Sequence, residues 1–131
     1  MAVDMAAIQT YVYGRLVARN VAAGRIYEEV PFDVTTGDGP YVEFVDGLDL
    51  DEDVSLSSGI EHLMTLNVWD EQPSALPIKR IVQTIRTALH AKSFPVADMD
   101  CISWVDSAQY FKPSDGTTRQ AVVRLRIICR T

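Results

Sequence analysis

Met64, Leu66 and Val68 alternate with Thr65, Asn67 and Trp69, the two-residue period of a strand with one buried face, so residues 61–70 are predicted as a strand. Soon afterwards the period changes. Ile78, Ile81, Val82, Ile85, Ala88 and Leu89 recur at spacings of three and four, with Lys79, Arg80, Gln83, Thr84 and Arg86 on the other side, which predicts an amphipathic helix over residues 75–91. Pro73 and Ser74 punctuate the joint, and Pro77 falls in the first turn, where proline is tolerated. A strand face and a helix face this close in sequence are expected to bury one another.

The rest of the pattern is organised around that pair. Residues 4–20 read as a first helix with Asp4 as N-cap, a stripe of Met5, Ile8, Val12 and Leu16, Arg15 and Arg19 near the C-terminal end, and Asn20 and Gly24 as stop signals. Residues 25–30 form a short strand or extended segment ended by Pro31. Residues 32–39 are a polar loop, and residues 40–47 a strand in which Val42 and Phe44 alternate with Tyr41, Glu43 and Val45. Residues 46–53 read as a solvated acidic loop, and residues 94–98 as a turn. Residues 101–112 form a strand that Asp106, Ser107 and Ala108 dilute, the mark of a bulge. The proline and Asp-Gly pair within residues 112–116 predict a hairpin turn. In the last strand, residues 117–130, Ala121, Val123, Leu125, Ile127 and Cys129 belong in the core, and Val122, Arg124, Arg126, Ile128 and Arg130 line the opposite face. The order helix, strand, strand, strand, helix, strand, strand predicts an α+β fold: a mostly antiparallel sheet of four to five strands with two helices packed on one face.

Composition and length fit one domain with a real core: 131 residues, 47% hydrophobic and 23% charged. No run approaches a membrane span, and residues 1–9 have no secretory pattern, so synthesis and retention in a cytoplasm are expected. Cys101 and Cys129 each sit in a strand outside any CxxC spacing, and they read as buried free thiols, although a cross-strand disulfide is open if their Cα atoms lie within about 7 Å. The net charge of −6 argues against non-specific nucleic-acid binding, and its distribution is uneven. Residues 43–53 hold six acids and no base, whereas residues 119–130 hold four arginines and no acid.

Candidate chemistry is sparse. His62 and His90 are the only histidines, the first on the Met64 and Leu66 face of its strand, the second at the end of the second helix, where a cation suits the helix dipole. No GxSxG, HExxH, Walker-type loop or GxGxxG occurs. Asp49, Asp51 and Asp53 have the opening spacing of an EF-hand loop, but Val54 stands where that loop needs glycine and Ile60 where it needs glutamate, so a solvated loop is expected, with weak cation binding as the alternative, and no metal site is assigned. The arginine face of the last strand has three readings: a solvated outer face, a contact with acidic residues of another subunit, and a nucleic-acid contact. The last is disfavoured by the acidic chain and by the lack of aromatic interleaving on that face. Trp69 and Trp104 read as core or interface anchors.

Several segments together resemble a known family: an N-terminal helix, GRIYEEVP at 24–31, PYVEF at 40–44, HLMTLNVWDEQ at 62–72, IVQTIRTALH at 81–90, and two closing strands around a D-G turn. The pattern is similar to that of the tail-completion proteins of long-tailed bacteriophages, also called tail terminators or tail-to-head joining proteins, which occur in prophages and gene transfer agents as well. The resemblance spans nearly the whole chain and rests on the order of short patterns. It implies a structural virion protein without catalytic residues or cofactor: a ring, usually a hexamer, that caps the finished tail tube, ends its polymerisation and meets the head connector or stopper protein. The implied partners are copies of the chain itself, the major tail tube protein and the connector, with no sequence-specific nucleic acid and no membrane. The implied location is the virion at the head-tail interface, after assembly in the host cytoplasm.

A ring built by head-to-tail contact brings two different patches of one subunit together. Asp46, Asp49, Asp51, Glu52 and Asp53 on one side, and Arg119, Arg124, Arg126 and Arg130 on the other, are the candidate subunit-interface residues. Two rivals stay open: a small α+β ligand-binding module or enzyme with a pocket between helix and sheet, and an adaptor that binds one protein partner as a monomer.

Overall fold

A computed structural model describes the backbone of residues 5–51, 59–96, 99–112 and 117–130 and, apart from residue 5 and residues 46–51, their side chains. Helix α1 spans Met5–Ala18 and α2 spans Leu76–Leu89; the strands are β1 (Ile26–Tyr27), β2 (Tyr41–Asp51), β3 (Gly59–Asp70), β4 (Lys92–Val96), β5 (Met99–Phe111) and β6 (Arg119–Arg130). The strands form one sheet in the order β1-β2-β3-β6-β5-β4. Every pairing is antiparallel except β1 with β2, which is parallel. The α+β class and the two helices agree with the sequence pattern, while the sheet is mixed and has six strands, where four to five were expected.

The sixth strand is β4, which the sequence pattern places in a turn. Proline in a strand is tolerated at an edge, and β4 is the edge of the sheet, with β5 as its one neighbour. Phe94 and Val96 flank Pro95 and are both buried, so the segment alternates as a strand does. The acidic segment needs a similar correction. Residues 46–51 continue β2 past an irregularity between Val45 and Leu48, after which Leu48 pairs with Leu63, Asp49 with His62, Leu50 with Glu61 and Asp51 with Ile60. Leu48 and Leu50 do alternate with aspartates, a period of two that the density of charge obscures. Residues 52 and 53, and all but the first residue of the turn expected within residues 112–116, lie outside the described residues, as does Asp4.

The core lies between one sheet face and the two helices. Ile8, Val12 and Leu16 of α1 are fully buried, as the stripe predicts, and so are Ile85, Ala88 and Leu89 of α2. They meet Val42, Leu66, Val68, Ala121, Val123, Leu125, Ile127 and Cys129, the inward set of β2, β3 and β6. Burying each large aliphatic side chain contributes about 1.5–3 kcal/mol, so this interface supplies most of the stabilisation that folding requires. Tyr11 of α1 stacks on Phe94 of β4 with ring centroids 3.7 Å apart, and Arg15 donates to the Ala88 carbonyl, fixing α1 against both β4 and α2.

Between α1 and β1 the chain turns through Asn20, Ala22, Ala23 and Gly24, all with positive φ. Asn20 and Gly24 suit that region, which agrees with their reading as stop signals, and burial of Val21 and Ala22 holds the turn in place. The bulge expected around Asp106 is present as a register shift between Val105 and Ser107. Cys101 and Cys129 correct the expectation of free thiols: they are directly opposed in the β5/β6 register with Cα atoms 4.0 Å apart, and they form a disulfide. Opposition across two neighbouring strands is what brings the sulfurs together, and the separate spacings in sequence do not reveal it.

Candidate assembly surface

The strand residues that point away from the helices make a second face, and its central part is an ordered polar ladder. Glu43 and Asn67 are opposed on β2 and β3, and Trp69 stands diagonally across. The Trp69 indole N–H donates to Glu43 Oε1 at 2.8 Å, and the Asn67 amide donates to the same oxygen at 3.1 Å. Gln120 of β6 in turn donates to the Asn67 carbonyl oxygen at 3.2 Å. All four side chains are half-buried, so among the described residues the ladder is fixed by hydrogen bonds without a layer of structure above it. Beside it, burial together with the Glu43 charge raises the Tyr41 hydroxyl above its ordinary pKa, against a lowering by Arg25, whose guanidinium carbon lies 6.0 Å from the Tyr41 ring centroid.

The four arginines of β6 divide by what already holds them. Arg119 donates to the Gln72 carbonyl at 2.9 Å through Nε and to the Pro73 carbonyl at 2.7 Å through Nη2, so it ties β6 to the joint between β3 and α2. Arg126 lies 3.5 Å from Asp106, in the β5 bulge, and its Nε is shielded from solvent without a hydrogen-bond partner. Arg130 also has a contact of its own. Arg124 is exposed, opposed to Thr65 on β3 and Ser107 on β5, and its side chain makes no hydrogen bond or ion pair among the described residues. Asp46, Asp49 and Asp51 lie on β2, and Glu52 and Asp53 lie outside the described residues. The fold therefore spreads Asp46, Asp49 and Asp51 along β2 and places the arginines two strands away, within one subunit.

Among the described residues the β2 edge is open beyond Glu43. β1 pairs with β2 only at Val42 and Glu43, and Glu28 and Glu29, which follow β1, are exposed. Between α1 and this edge runs a groove of two adjoining cavities. One, of about 460 Å³, is lined by Ala6, Gln9, Thr10, Tyr13, Glu28 and Phe44. The other, of about 180 Å³, shares Gln9, Glu28 and Phe44 and adds Glu29, Val45, His62 and Met64. The sequence pattern singled out neither glutamate: RIYEEV reads only as a short strand or extended segment. His62 thus lies near carboxylates, but among the described residues no group of three or more His, Cys, Asp or Glu side chains could hold a metal ion. His90 caps α2, accepts the Val105 backbone N–H on Nδ1 at 3.1 Å and meets Trp104 edge-on, a structural position. Phe32, between β1 and β2, is fully exposed.

Comparison with known proteins agrees with the architecture. A solved chain from the structure titled "Virion of native gene transfer agent (GTA) particle" superposes with a TM-score of 0.79 over 94% of each chain at 18% identity, which shows a shared fold. No curated protein matches the chain in sequence. A family model described as "Tail completion protein gp17" matches residues 7–130, from the first turn of α1 to the end of β6. That span takes in every strand and both helices, and the chain belongs to the tail completion protein gp17 family.

Proposed function

We propose that the protein is a structural component of the virion tail that closes the finished tail tube as a ring, ends its polymerisation and forms the tail-side joint to the head connector. The family match over residues 7–130 carries this reading. The similar fold in a gene transfer agent virion supports it. The chemistry also fits: the polar ladder, the arginines of β6 and the acidic β2 edge are devices for recognising surfaces, and the protein works without a bond-making centre. Its partners are copies of itself, in a ring expected to be a hexamer, the tail tube protein below and the connector or stopper protein above. Subunits meet head to tail through oppositely charged patches, the acidic segment of β2 against the arginine face of β6.

Electron microscopy of particles from cells lacking this protein is the direct test. Tubes longer than normal, without a terminal cap and unjoined to heads, are expected, with normal particles restored when the protein is supplied in trans. Tubes of normal length joined to heads in its absence would refute the reading.

A further inference from the structure

We infer that Arg124 of one subunit docks into the groove between α1 and the β1–β2 edge of the next, with Glu28 and Glu29 as its counter-charges. The inference rests on the ring reading above and names the residues that close the contact. Three observations lead to it. First, the unsatisfied charges are complementary: the Arg124 side chain has no ion pair or hydrogen bond among the described residues, and neither have those of Glu28 and Glu29. The other β6 arginines already have contacts, Arg119 with two carbonyls, Arg126 with Asp106 and Arg130 with a partner of its own.

Second, the groove suits a guanidinium. Its smaller cavity is lined by Glu28 and Glu29 together with Phe44, Met64, Gln9 and His62. Arginine is the cation that such a site favours, because its planar fork pairs with carboxylates while its face packs on an aromatic ring and its stem on apolar atoms. Third, the two patches differ in place. Arg124 lies in the middle of the helix-free face, and the groove lies at the far edge, on the side where α1 packs. A contact between two different patches is heterologous, the kind that closes rings. The acidic residues of β2 beyond Val45 extend the same negative edge and would steer the arginine face toward it.

Charge reversal and its reversal test this in the full chain. Arg124→Glu and the pair Glu28→Arg/Glu29→Arg are each exposed substitutions expected to leave the circular dichroism spectrum and melting unchanged. Each is expected to weaken ring formation on cognate tail tubes about tenfold or more, scored by electron microscopy and by sedimentation, and the triple variant is expected to recover most of it. Single reversals that cap tubes as the wild type does, or a triple variant no better than either parent, would overturn the inference. So would a Glu28→Arg/Glu29→Arg variant that still self-associates but no longer binds tubes, since the groove would then take a tube segment. Wild-type protein that neither self-associates nor caps tubes would overturn the ring reading itself, a distinct result.

Discussion

Glu43 is the hub of the ladder on the helix-free face, so its contribution can be isolated by a double-mutant cycle. Its Oε1 accepts one bond from Trp69 and one from Asn67. A hydrogen bond to a charged acceptor contributes about 1.5–3 kcal/mol when desolvated, and water replaces part of it here because the pair is half-exposed, which argues for about 1.5 kcal/mol from the 2.8 Å indole bond. Glu43→Ala removes both bonds. Trp69→Phe removes the indole donor, so in that background Glu43→Ala loses the Asn67 bond alone. The difference, a coupling of about 1–1.5 kcal/mol, is read from urea melts of the four proteins followed by circular dichroism. With a denaturant slope of about 2 kcal/mol per molar, it corresponds to a midpoint displacement of roughly half a molar or more beyond additivity. Coupling below about 0.3 kcal/mol would show that the two side chains act independently and would refute the claim that this face is pre-ordered.

Two further outcomes follow from the core. Ser103 is fully buried and donates to the Leu89 carbonyl, the last of α2, at 2.6 Å, so Ser103→Ala orphans a helix-end acceptor and is expected to cost about 1–3 kcal/mol, against less than about 0.5 for exposed Ser93→Ala; equal effects in urea melts would show that the bond contributes nothing. The Cys101–Cys129 bond closes a separation of 28 residues, for which chain entropy gives about 3–4 kcal/mol, so thiol labelling of the oxidised protein should find neither cysteine reactive and Cys101→Ala/Cys129→Ala should melt well below it; two free thiols would contradict the cross-strand bond.

Much of the scaffold was legible because it depends on local period. The alternation of β6 separates buried from outward residues as the structure does from Ala121 to Cys129, save that outward-facing Val122 is itself buried. The stripes of α1 and α2 identify the helix faces that meet the sheet. What escaped is non-local or disguised. Pro95 signals a break unless the strand is known to be an edge, and strand order cannot be read from one segment. The aspartates of β2 mask an alternation that becomes visible only opposite β3. The two blocks of opposite charge were legible, but their members are not equivalent. Arg119 is committed to carbonyls 46 and 47 residues away, and Arg126 to an aspartate on the next strand, partners that no spacing predicts. Glu28 and Glu29 gain meaning only because α1 lies across from them.

The open side of β2 has a consequence for the protein before it reaches a virion. An unpaired strand border is a template on which any extended chain can add itself, and a concentrated pool of identical subunits is the worst case, since each could extend a fibre. Acidic residues at 46, 49 and 51 make homotypic stacking of that border repulsive, and the irregularity between Val45 and Leu48 keeps it from lying flat against a twin. A border carrying those charges is a poor template for another copy of itself.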